Sequence, residues 1–94
     1  MDIKLKVDEL LDETIDRIKE VVTYDSVSNY DESNKQHPFG QVCSDVLNKA
    51  LSFGENEGFK TVNLDNKVGY IEFGEGDKTI GMLAHLDIVP CGEG

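Results

Sequence analysis

The chain has 94 residues, of which 38% are hydrophobic and 7% aromatic, so it can form at most one small domain with a modest core. Nine Lys and Arg against nineteen Asp and Glu give a net charge of -10, which argues against nucleic acid and anionic membranes as partners. No apolar run is long enough to span a bilayer, and the first residues do not resemble a signal peptide. The two cysteines, Cys43 and Cys91, are too few for a disulfide framework. We therefore expect a cytoplasmic protein.

Two helices are predicted in the first part of the chain. Apolar residues recur at three- and four-residue steps over residues 5–22, with charged residues on the other face, which is the pattern of an amphipathic helix. A second apolar stripe over residues 39–51 predicts another helix, for which Gly58 provides a stop signal. Because Cys43 lies on this stripe, we interpret it as a small core residue rather than a reactive thiol.

A polar segment, residues 24–38, connects the two helices. It has few apolar side chains to bury, so it predicts a surface loop. His37 lies in this loop beside a proline, and we expect it to be exposed rather than to bind a metal.

In the last third of the chain the apolar period changes to two, which predicts strands. The three predicted strands cover residues 59–64, 68–73 and 79–88. The connections, residues 65–67 and 74–78, are short, and short connections favour antiparallel pairing. The predicted fold class is therefore α/β, with two helices followed by a three-stranded antiparallel meander.

The third predicted strand carries a histidine and a carboxylate two residues apart, His85 and Asp87. In an extended strand such residues project from the same face. Pro90, Gly92 and Gly94 then break the strand, which leaves the polar pair near a strand end, where functional sites are often built. The pair is compatible with a metal site, but the same pattern occurs in a structural histidine whose hydrogen bonds are satisfied.

The sequence around this pair resembles a known family. Residues 81–90, Gly-Met-Leu-Ala-His-Leu-Asp-Ile-Val-Pro, followed by Gly-x-Gly, resemble the first metal-site motif of the dinuclear zinc metallopeptidases of the aminoacylase and carnosinase type. Residues 38–40, 58–61 and 69–76 resemble, in order, the start of the bacterial Xaa-His, or β-Ala-Xaa, dipeptidases. The likeness extends over the whole chain, with Tyr-Asp-Ser-Val at residues 24–27 where the family often has Ile-Pro-Ser-Val.

The resemblance implies roles for both residues of the pair. His85 would bind one of two zinc ions, and Asp87 would act in catalysis by orienting or polarising the histidine. The implied reaction is hydrolysis of a small peptide substrate, in which two zincs activate a bridging water and a glutamate takes its proton. Substrate-binding residues are not identifiable from the sequence.

The resemblance also implies that most of such an enzyme lies beyond these residues. Residues 1–94 would be a partial N-terminal segment of the catalytic domain, roughly the first fifth of the enzyme, and would contribute to a larger, helix-covered mixed sheet. The family's other metal ligands come from later segments, and no Glu-Glu pair occurs here. A catalytic zinc normally has about three protein ligands, so we expect the isolated chain to be inactive and to bind zinc poorly. An unpaired strand edge would favour self-association.

Two other functions are compatible with the sequence. A related deacylase that acts on N-acyl amino acids would use the same His-x-Asp motif and a similar metal pair. A small, acidic, non-catalytic protein-binding module would keep His85 as a structural residue. Cys91 follows the motif closely, but we interpret it as a neutral substitution rather than a second ligand.

Overall fold

A computed structural model describes residues 2–92 of the chain. Its elements are α1 (Ile3–Val22), α2 (Gln41–Asn56), β1 (Lys60–Leu64) and β2 (Val68–Glu72). The α/β class, both predicted helices and the first two predicted strands are confirmed. Gly94, which was predicted to help break a third strand, lies outside the described residues.

Helix α1 is amphipathic, but its apolar face is not covered by the described part of the chain. Asp2 caps the helix by accepting a hydrogen bond from Leu5 N at 3.1 Å. No residue of α1 is buried. The exposed apolar residues of α1 are Ile3, Leu5, Val7, Leu10, Leu11, Ile15, Ile18 and Val22. Within residues 2–92, no helix has the length and apolar character needed to cross a membrane.

Polar contacts centred on one arginine connect α1 to α2. Arg17 donates to Glu13 at 2.6 Å on its own helix and to Glu57 at 2.7 Å at the end of α2. Its guanidinium also lies 5.2 Å from the centre of the Phe53 ring, and Lys49 lies over the same ring. The hydrogen bond to Glu57 is the main cause of the raised pKa of Arg17. Helix α1 is thus attached through charged side chains rather than through its apolar stripe.

The C-terminus of α2 has a glycine in the left-handed conformation. Gly58 has φ of +82° and donates to Glu55 O at 3.0 Å, while Phe59 N donates to Gly54 O at 2.9 Å. This pair of hydrogen bonds is the Schellman motif, which satisfies carbonyls left free at a helix end. The stop signal predicted at Gly58 is confirmed, and it directs the chain into β1.

Strands β1 and β2 form an antiparallel hairpin whose last registered pair is Leu64 and Val68. Asp65 and Asn66 both have positive φ, 58° and 56°, and Lys67 N donates to Leu64 O at 3.0 Å. Left-handed conformations at both central positions match the right-handed twist of a hairpin, and Asp and Asn tolerate them better than other non-glycine residues. The predicted turn at residues 65–67 is confirmed.

The buried core lies between α2 and the hairpin. Val46 and Leu51 of α2 are buried, and each contributes roughly 1.5–3 kcal/mol by removing its side chain from water. Two glycines allow close approach, because a Cβ on Gly54 would lie 2.8 Å from Ile71 and one on Gly69 would lie 3.0 Å from Leu51. Helix α2 and the hairpin therefore form the packed unit of the structure.

The predicted third strand over residues 79–88 is wrong for the described chain, because only an isolated bridge at Ile88 is formed there. A strand needs a row of backbone partners, and this segment does not fold back along β2. After β2, Gly74 and Gly76 have φ of 88° and 154°, backbone conformations that residues with a Cβ rarely adopt. Leu83, for example, is 99% exposed. The described sheet has two strands, and the larger helix-covered sheet remains a prediction.

Candidate active site

The loop after α1 holds the segment that carries the predicted site. Ser26 Oγ donates to Leu86 O at 2.8 Å, and Ser26 O accepts from Ile88 N at 3.1 Å. Val27 and Ile88 form a parallel bridge. Ser26 is only 1% exposed, so this contact is sheltered from water. The backbone on both sides of residue 87 is thereby fixed to the loop.

The two predicted site residues are in direct contact. His85 Nδ1 lies 3.0 Å from Asp87 Oδ1 and 3.1 Å from the Asp87 carbonyl oxygen. Both oxygens are acceptors, so Nδ1 carries the proton and donates it. The Nε2 lone pair is then available to a ligand, and the His85 side chain is 85% exposed. Their roles as metal ligand and catalytic residue stay predictions.

A second serine contacts the carboxylate directly. Ser28 Oγ donates to Asp87 Oδ2 at 3.3 Å, so both oxygens of this carboxylate have partners. Ser26 and Ser28 were not among the predicted site residues, because residues 24–38 have only the composition of a polar surface loop. One signal was present: Ser26 and Val27 match the Ser-Val of the family's Ile-Pro-Ser-Val segment.

A cleft of about 300 Å³ lies beside the pair. His85 and Asp87 line one side, Phe39 and Cys43 line the α2 side, and Lys67 lies at the hairpin turn. This volume is at the lower end of the range for small-molecule sites.

Cys43 is half-buried at the edge of this cleft, where its Sγ donates to Ser26 O at 3.5 Å. Burial raises the pKa of the Cys43 thiol, and the negative charge of Asp87 adds to the effect. A thiol with a raised pKa is mostly protonated at neutral pH and therefore a poor nucleophile. This supports the interpretation of Cys43 as a packing residue. Cys91 is exposed.

His37 differs from its prediction, because it is half-buried rather than exposed. Its Nδ1 lies 2.8 Å from Oγ of Ser44, which is 1% exposed. The loop folds back onto the start of α2, where Asp31 N donates to Pro38 O at 2.8 Å and Pro38 is buried. His37 therefore connects the loop to α2.

The described residues fit only part of a zinc site. An imidazole with a carboxylate on its second nitrogen is the usual arrangement of a zinc-binding histidine and its supporting acid. Between residues 2 and 92, however, no three His, Cys, Asp or Glu side chains are grouped closely enough to hold a metal ion. Since zinc normally takes about three protein ligands, the described residues would provide at most one of them, His85.

Comparison with known proteins places this chain beside dipeptidases, although no protein-family model matches it. It is 38% identical over 77 residues to the β-Ala-Xaa dipeptidase of Lactobacillus delbrueckii subsp. lactis, covering 82% of this chain and 16% of that protein. It is 43% identical over 76 residues to a Bacillus subtilis protein provisionally named dipeptidase YtjP, covering 81% of this chain and 16% of the relative. A provisionally named dipeptidase of Staphylococcus saprophyticus is 34% identical over 89 residues, covering 95% of this chain and 19% of that protein.

These matches confirm the resemblance to bacterial dipeptidases that the sequence predicted. Within that class, the chain is similar to a β-Ala-Xaa dipeptidase, as the motif order indicated. The chain spans between 16% and 19% of the length of these relatives.

Proposed function

We propose that this chain is part of a dipeptidase, a hydrolase that cleaves the peptide bond of Xaa-His or β-Ala-Xaa dipeptides. The observation that carries the proposal is the contact of 3.0 Å between His85 Nδ1 and Asp87 Oδ1, in a chain similar to dipeptidases over most of its length. The names of the relatives favour this reaction over deacylation of N-acyl amino acids.

In the proposed site, Nε2 of His85 is a ligand of one of two zinc ions. Zinc, when bound, would polarise the scissile carbonyl and activate water. Asp87 accepts the Nδ1 proton, which fixes the plane of the imidazole and raises its basicity as a ligand. The cleft between His85 and α2 would receive the small peptide.

The proposal assigns the remaining zinc ligands and the general base to parts of the enzyme outside this chain. We accordingly expect the isolated 94-residue chain to show no turnover and to bind zinc weakly.

The exposed apolar face of α1 favours one alternative, a protein-binding module, and it also leads us to propose that the isolated chain self-associates. Light scattering over a range of concentrations tests this. A monomer at the highest concentration would contradict self-association.

The decisive test is activity of the protein that the gene encodes, assayed with β-Ala-His in the presence of zinc. We expect hydrolysis that His85→Ala abolishes, because the variant lacks a metal ligand. The matched control is His37→Gln, which changes the chain's other histidine and should retain activity. Undiminished hydrolysis by His85→Ala would exclude His85 as a ligand, and no hydrolysis of any dipeptide by the unaltered protein would exclude the function.

A further inference from the structure

We propose that Ser26 and Ser28 are positioning residues that hold the Asp87 carboxylate against Nδ1 of His85. The inference rests on the proposed function, because a metal-binding imidazole needs a fixed ring and a fixed proton position. The resemblance implies roles only for His85 and Asp87, so the two serines extend the site into the loop after α1.

Ser26 acts on the main chain around Asp87. Its hydroxyl bonds the carbonyl of Leu86 at 2.8 Å and its carbonyl bonds the amide of Ile88 at 3.1 Å. The main chain has only two soft torsions per residue, so holding both neighbours fixes the direction in which the Asp87 side chain leaves the backbone. Ser26 is also 1% exposed, so water cannot readily replace its hydrogen bond to Leu86.

Ser28 acts on the carboxylate itself. The last torsion of an aspartate is broad, so the backbone alone does not orient the two oxygens. Ser28 Oγ donates to Oδ2 at 3.3 Å, and this leaves Oδ1 directed at His85 Nδ1, 3.0 Å away. Ser26 thus sets the direction of the Asp87 side chain, and Ser28 limits the rotation of its carboxylate.

The expected consequence concerns the neutral His85 ring. With Asp87 held in place, the proton stays on Nδ1 and the Nε2 lone pair is free to bind a ligand. When the Asp87 carboxylate is released, Nδ1 keeps only its contact of 3.1 Å with the Asp87 carbonyl oxygen. The ring should then shift part of the way towards the Nε2–H form, in which the nitrogen proposed to bind metal carries the proton.

The test is the ratio of the Nδ1–H to the Nε2–H form of His85, read from imidazole nitrogen shifts at alkaline pH in the metal-free protein that the gene encodes, labelled with ¹⁵N in its histidines. We expect Nδ1–H to dominate in the unaltered chain. Ser26→Ala and Ser28→Ala should each lower the ratio by a factor of about 2 to 10, the effect of one hydrogen bond. The matched control is Ser33→Ala, in the same loop, whose hydroxyl donates to Asp31 at 2.6 Å. It should leave the ratio unchanged.

An unchanged ratio in both Ser26→Ala and Ser28→Ala would overturn the proposal, as would a predominantly Nε2–H ring in the unaltered chain. Should Ser26→Ala fail to fold, Ser28→Ala decides the matter, because Ser28 is exposed. The ratio is measured without substrate or metal. Failure of the dipeptidase assay would therefore exclude the proposed function. The tautomer ratio would still show whether the two serines position Asp87.

Discussion

Two regions of the molecule are stabilised by different interactions: the packed unit of α2 and the hairpin, and the segment that carries His85 and Asp87. The first is closed by apolar side chains, with Val46 and Leu51 of α2 buried and Leu51 beside Gly69 of β2. The second is exposed along most of its length and is tied to the loop after α1 by hydrogen bonds from Ser26 and Ser28. The stability of this chain and the order of its proposed site therefore depend on different residues.

The largest effect on stability is expected from a substitution that removes a buried side chain from the core. Leu51→Ala should reduce the free energy of unfolding by about 2–5 kcal/mol, because it leaves a cavity between α2 and β2. Urea unfolding followed by circular dichroism measures the effect. Leu11→Ala makes the same change on the exposed face of α1 and should stay within about 0.5 kcal/mol of the unaltered chain. Equal losses in the two variants would show that α1 is packed in solution.

A substitution in the candidate site should lower activity and leave the stability of the core unchanged. Asp87→Asn should lower dipeptidase activity of the protein that the gene encodes by about 10- to 100-fold, because it weakens the support of His85. The free energy of unfolding should change by less than about 0.5 kcal/mol, since the segment is outside the core. Asp77→Asn, in the exposed segment after β2, is the matched control and should alter neither quantity. A loss of stability in Asp87→Asn comparable to that in Leu51→Ala would contradict the separation.

A smaller loss of stability is expected at Gly58, where the chain passes from α2 into β1. Gly58→Ala should reduce the free energy of unfolding by about 1 kcal/mol, because φ of +82° is unfavourable for any residue with a Cβ. Gly81→Ala, in the exposed segment, has open space and no positive φ, so no loss is expected there. Denaturant midpoints of the two variants provide the comparison. A loss in Gly81→Ala as large as that in Gly58→Ala would mean that the segment before His85 is more constrained than the structure shows.

Sequence patterns predicted the regions whose structure is determined locally. The apolar stripe and Gly58 located α2, and alternation with an Asp-Asn turn located the hairpin, because side-chain period and turn chemistry act over a few residues. The prediction failed for residues 79–88, where apolar character favoured a strand but the described chain provides a bridging backbone partner only at Ile88.

The candidate site was also predicted only in part, because sequence patterns act over a few residues. His85 and Asp87 were predicted from their two-residue spacing together with the resemblance of residues 81–90 to a metal-site motif. The structure confirms that the two side chains are in contact. Ser26 and Ser28 were missed because their partners lie 60 and 59 residues away along the chain, and no local pattern encodes such contacts. His37 was placed in solvent because its partner Ser44 belongs to a helix face that the loop covers only in the folded chain.

The two cysteines have a practical consequence for labelling. Burial and the charge of Asp87 keep the Cys43 thiol protonated, whereas Cys91 is exposed. A maleimide dye at neutral pH should therefore react first at Cys91, without any engineered cysteine. Because that position follows Asp87 by only four residues, the fluorescence of the attached dye would report directly on motion of the segment that carries the proposed zinc ligand.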